Sequence, residues 1–98
     1  MTNEEAILRL GCDMDDEAAL IAFAENNLTV MKALIRRYFN SRAMRKKAFL
    51  SLLVQISICA KEFVKSEESV DRWIAACVEM ECKRLRSKTR LTLSLRNN

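Results

Sequence analysis

Chemistry at neutral pH usually runs through histidine, cysteine, paired carboxylates or a glycine-rich phosphate loop, and this 98-residue chain is short of most of them. It has no histidine, no proline and a single glycine, Gly11. Without histidine, the Ser-His and Cys-His nucleophile pairs are excluded. One glycine cannot build a loop that cradles phosphate. The four cysteines, Cys12, Cys59, Cys77 and Cys82, contain no C-x-x-C pair. A zinc site would need four thiolates from scattered positions, so buried reduced thiols are the expectation. The sequence assigns no catalytic residue, no metal and no cofactor.

What the chain does carry is segregated charge. Residues 1 to 25 hold Glu4, Glu5, Asp13, Asp15, Asp16, Glu17 and Glu25 against Arg9 alone. Residues 32 to 47 hold Lys32, Arg36, Arg37, Arg42, Arg45, Lys46 and Lys47 with no acid. A second basic cluster follows at Lys83, Arg84, Arg86, Lys88 and Arg90. Cations suit a helix C-terminus, which accounts for part of the second cluster. The first opens a helix with cations, where acids are favoured by about 0.3–1 kcal/mol each. Such a cluster is a solvated face, a grip on phosphate backbone or a grip on an acidic protein surface. The candidate nucleic-acid or partner-binding residues are Arg36, Arg37, Arg42, Arg45, Lys46, Lys47, Lys83, Arg84, Arg86 and Lys88. Near-helical spacing places Arg42, Arg45 and Lys46 on one exposed face, with Lys47 flanking it.

The elements that position these residues read as helices. Half of the chain is apolar and turn residues are scarce, which suits a helical bundle and not a sandwich or barrel. Thr2 and Glu5 form a capping-box pattern that opens a short helix ending at Gly11. Acids at 13 to 17 open a second, with Leu20, Phe23, Ala24, Met31, Leu34, Ile35 and Tyr38 at 3.6-residue spacing. Asn26 and Asn27 allow a bend in it. Ser41 caps a third helix from about Arg42 to Val64, apolar nearly all round and so expected at the bundle centre. Residues 66 to 69 cap a fourth that turns Val70, Trp73, Ile74, Cys77, Met80 and Leu85 inward. "RLTLSL", at 90 to 95, alternates with period 2 and predicts a short strand or an unpaired tail. The expectation is an all-α bundle of three to four helices, with residues 1–90 as one domain and 91–98 as a C-terminal tail.

The order of these pieces resembles region 2 of the extracytoplasmic-function sigma factors, across about residues 16 to 86. "DEAALIAFAENN" (16 to 27) matches the acidic opening of that family's first long helix. "ALIRRYFNSRA" (33 to 43) matches its closing Arg-Arg and short turn, and "AFLSLLVQI" (48 to 56) the apolar rhythm of the next helix. "FVKSEESVDRWIAAC" (63 to 77) carries the aromatic residue, the polar loop and the Trp-aliphatic pair. Departures are equally specific. The family has acids where this chain has Arg45, Lys46 and Lys47, on the face that grips the polymerase clamp. The family's helix-turn-helix domain has no counterpart within these 98 residues.

The resemblance implies a non-catalytic transcription module that binds DNA phosphate or the transcription machinery through basic helix faces. An adaptor or decoy for a sigma or anti-sigma factor, or for another acidic protein surface, stands beside it. So does an unrelated helical bundle. RNA polymerase, a sigma or anti-sigma protein and DNA are the partners these readings name. The acidic N-terminus and the lack of an uninterrupted apolar run of membrane length predict a cytoplasmic protein without a membrane span.

Overall fold

A computed structural model of the chain describes residues 1 to 96, which form four α-helices: α1 (Asn3–Cys12), α2 (Glu17–Ile35), α3 (Arg42–Val64) and α4 (Val70–Arg96). Their starts follow from local chemistry. The Thr2 hydroxyl accepts from Glu5 N–H at 3.2 Å, the Asp16 carboxylate from Ala19 N–H at 3.1 Å, and the Ser41 hydroxyl from Met44 N–H at 3.1 Å. Ser69 does the same for Arg72 at the head of α4. Each side chain satisfies a donor that has no partner within its helix.

The core forms where the four apolar rows meet. α2 buries Phe23, Met31 and Ile35, α3 buries Ala48, Leu52, Ile56 and Ala60, and α1 buries Ile7 and Leu10. α4 contributes Trp73, Ile74, Val78, Cys82 and Leu85. Trp73 stacks on Phe63 at 4.5 Å and meets Phe23 edge-on at 5.9 Å, locking three helices at one end. Tyr38 and Phe39 lie half-buried against the same core and lid its other end. Among the described residues α2 is the one helix long and apolar enough to cross a membrane; in the fold its Phe23 row packs inside the bundle.

The structure corrects several expectations. Residues 90 to 95 are not a strand: α4 runs unbroken to Arg96, and residues 97 and 98 of the expected tail lie outside the described residues. The alternation in "RLTLSL" is too short to override a helix already propagating from Val70. Gly11 does not end α1. The helix continues to Cys12, and Gly11 marks the place where α1 meets α3, since a Cβ there would lie 3.4 Å from the Lys61 Cα. α2 runs unbroken through Asn26 and Asn27, where the buried Asn27 side chain donates to the Phe23 carbonyl at 2.8 Å and to Asn3 at 2.9 Å. Met80 points outward and is 70% exposed. Finally, α3 packs on all three other helices yet keeps one apolar face in solvent.

Candidate partner-binding groove

The site begins at the reversal between α2 and α3. The Ile35 carbonyl accepts from Tyr38 N–H at 3.0 Å and from Phe39 N–H at 3.3 Å, which ends α2 within one turn. Arg45 then reaches back, its Nε donating to the Phe39 carbonyl at 2.7 Å. A charged donor on a backbone carbonyl is among the stronger neutral-partner hydrogen bonds. Arg45 therefore clamps the turn; it lines the same face as Arg42 and Lys46, as expected, but is half-buried where they are exposed.

With the turn fixed, the end of α2 and the start of α3 flank a groove of about 890 Å³. Leu28, Ile35 and Phe49 supply apolar lining, and Lys32, Arg36, Arg42, Arg45 and Lys46 supply the cations. The chain has no acid between Glu25 and Glu62, so no nearby carboxylate in sequence neutralises them. Arg36, Arg42 and Lys46 are exposed and make no ion pair among the described residues. Lys32 and Arg36 sit at the C-terminal end of α2, where cations are stabilised. Arg42 and Lys46 sit at the N-terminal end of α3, where they are not. Their placement costs the fold a little and concentrates positive charge beside apolar surface.

The remaining sequence candidates divide. Arg37 and Lys47 are exposed but outside the groove lining. On α4, Lys83 is paired with Glu79 at 2.7 Å and Arg84 with Glu81, so both already have acidic partners. Arg86 and Lys88 are exposed on the same helix. The fold thus brings Arg36, Arg42, Arg45 and Lys46 together and leaves the α4 residues apart from them.

Sequence reasoning missed three features. The first is the apolar lining: helical spacing gives Leu28 no role and places Ile35 in the apolar row of α2, with no sign that either lies beside Phe49 of α3. The second is Glu81, only 4% exposed, which receives the Arg84 guanidinium and the Ser51 hydroxyl of α3. Arg84 chiefly, with Ser51, holds this carboxyl below its usual range against the opposing effect of burial. The i,i+3 spacing of Glu81 and Arg84 was a legible signal; Ser51 was not. The third is the row Leu50, Val54 and Ile58, which remains 54%, 57% and 53% exposed.

The cysteines form no site. Burial pushes the thiols of Cys77 and Cys82 up to about 11, keeping both protonated at neutral pH. All four cysteines are free, and among the described residues no group of three or more Cys, Asp or Glu could hold a metal ion. Comparison with family models, curated proteins and solved structures finds no match to this chain.

Proposed function

We propose that the protein is a non-catalytic interaction module of transcription regulation, an adaptor that captures an acidic, partly apolar protein segment in the α2–α3 groove. One observation carries this reading: five cations surround an apolar-lined groove in a stretch of chain with no acid. Phosphate backbone would use the cations but leave Leu28 and the exposed part of Phe49 without a partner. An amphipathic segment with carboxylates flanking apolar side chains uses both. Lys83 and Arg84 are already engaged by Glu79 and Glu81, which further favours the groove over a continuous basic track for DNA.

A cytoplasmic location rests on the acidic N-terminus and the lack of an uninterrupted apolar run of membrane length. The transcription setting rests on the resemblance to sigma region 2. There the segment equivalent to Arg45–Lys47 is acidic and grips polymerase; the inverted sign here favours an acidic partner such as a sigma or anti-sigma surface. The test is fluorescence anisotropy with a labelled helical peptide bearing leucines at i,i+4 spacing flanked by glutamates, run beside duplex DNA. The expected result is peptide binding that Arg42→Glu with Lys46→Glu weakens by about tenfold or more, since like charges across an interface are strongly unfavourable. Binding to DNA instead, with a log–log salt slope near −0.9 per phosphate neutralised, would replace the adaptor by the DNA-binding reading.

A further inference from the structure

The cationic groove is one end of a longer face. Lys46, Leu50, Val54 and Ile58 recur every four residues and therefore form one row along α3. Lys46 lines the cationic groove, whereas Val54 and Ile58 line a second one of about 430 Å³. That second groove is bounded by Asp15, Asp16 and Glu17, with Met14 and Leu20 beside them. The Asp16 carboxylate is partly used by Arg9, whose Nε lies 2.8 Å away, and this bond chiefly lowers its pKa; Asp15 and Glu17 are exposed. One face thus carries cations at one end, acids at the other and an exposed aliphatic row between them. From Lys46 to Ile58 it runs about 18 Å at the helical rise of 1.5 Å per residue.

We infer that this face binds a second copy of the chain as a two-fold dimer. A two-fold interface sets the same patch against itself in reverse, so it needs a surface that is complementary to its own inversion. The face has that property. Reversal brings the cationic groove of one protomer onto the acidic groove of its partner, twice, and lays the aliphatic row across itself near its midpoint between Leu50 and Val54. Three exposed aliphatic side chains in a row, rimmed by charge, are the composition of an interface centre and not of a solvated helix face. The dimer occupies the groove assigned above to an outside partner, so that partner must compete with it; its readout, the oligomeric state, needs no outside partner.

Sedimentation velocity of the full chain over a range of concentrations tests the dimer, with circular dichroism confirming that each variant is folded. The expected result is a concentration-dependent dimer that weakens as salt rises. Val54→Glu should weaken it by roughly a hundredfold, because each copy would place a charge at the interface centre. An acidic variant (Arg42→Glu, Lys46→Glu) and a basic one (Asp15→Lys, Glu17→Lys) should each be monomeric alone. Mixed in equal amounts, they should form a one-to-one heterodimer, since each groove then meets its opposite. A wild-type chain that stays monomeric, a dimer that persists in Val54→Glu, or a mixture that fails to associate would each overturn the inference.

Discussion

Two rows of α3 have similar chemistry and opposite fates. Ala48, Leu52, Ile56 and Ala60 recur every four residues and are buried; Leu50, Val54 and Ile58 recur every four residues and are more than half exposed. Aliphatic content alone does not separate them. The first row faces Phe23, Leu10 and Ile74 on three other helices, whereas a bundle of four helices has none left to cover the second. A surface row of this composition contributes little to the stability of the isolated chain, and in the proposed dimer its value would lie in contacts with the second copy. The difference separates residues that hold the fold from those available for recognition.

The largest effect belongs to the buried side. Trp73→Ala should cost about 3–5 kcal/mol, because it removes the stacking and edge contacts to Phe63 and Phe23 and opens a cavity. Leu52→Ala should cost about 2–5 kcal/mol by the same mechanism. Urea denaturation measures both, and a near-wild-type midpoint for either would place that residue outside the core.

Glu81 comes next. Replacing its carboxylate with an amide removes the charge that pairs with the Arg84 guanidinium and one of the two oxygens that accept from Arg84 and Ser51, and Glu81→Gln should cost about 1.5–3 kcal/mol. The pH dependence has a definite sign. The folded pKa lies below the ordinary value of 4.5, so the ion pair's stability is complete above that value and is lost as pH falls through the lowered one. The Glu81→Gln chain should therefore lose less stability between neutral and acid pH than the wild type. An unchanged acid limb in the variant would mean that the Arg84 contact contributes nothing.

The smallest effects belong to the exposed side. Val54→Ser should change the stability of the monomer by no more than about 0.5 kcal/mol, as expected of a surface position. Arg42→Glu should stabilise it by about 0.3–1 kcal/mol, because an acid replaces a cation at the head of α3. Thermal melts of dilute protein check both. A large loss from Val54→Ser would erase the distinction between the two rows.

Much of the fold was legible because its signals are local. Thr2, Asp16, Ser41 and Ser69 are polar caps next to apolar periodicity, and such caps act through their own neighbouring backbone. Trp73 was legible as core from the spacing of Val70, Ile74 and Cys77. What the sequence hid depends on tertiary supply and demand. The side of α3 left bare depends on how many helices surround it, which periodicity does not state. Arg45 reads as one more exposed cation until the turn brings the Phe39 carbonyl to it. The groove likewise needed Leu28 of α2 and Phe49 of α3, far apart in the chain, to line one depression.

The recognition role proposed for the α2–α3 groove is tested most directly by an amide chemical-shift map. The Val54→Glu chain, monomeric on this account, would be titrated with the glutamate-flanked leucine peptide. The predicted shifts cluster at Leu28, Lys32, Arg36, Arg42, Lys46 and Phe49 and leave the Lys83–Arg90 segment of α4 unmoved. Shifts confined to that α4 segment, or no shifts at saturating peptide, would contradict it.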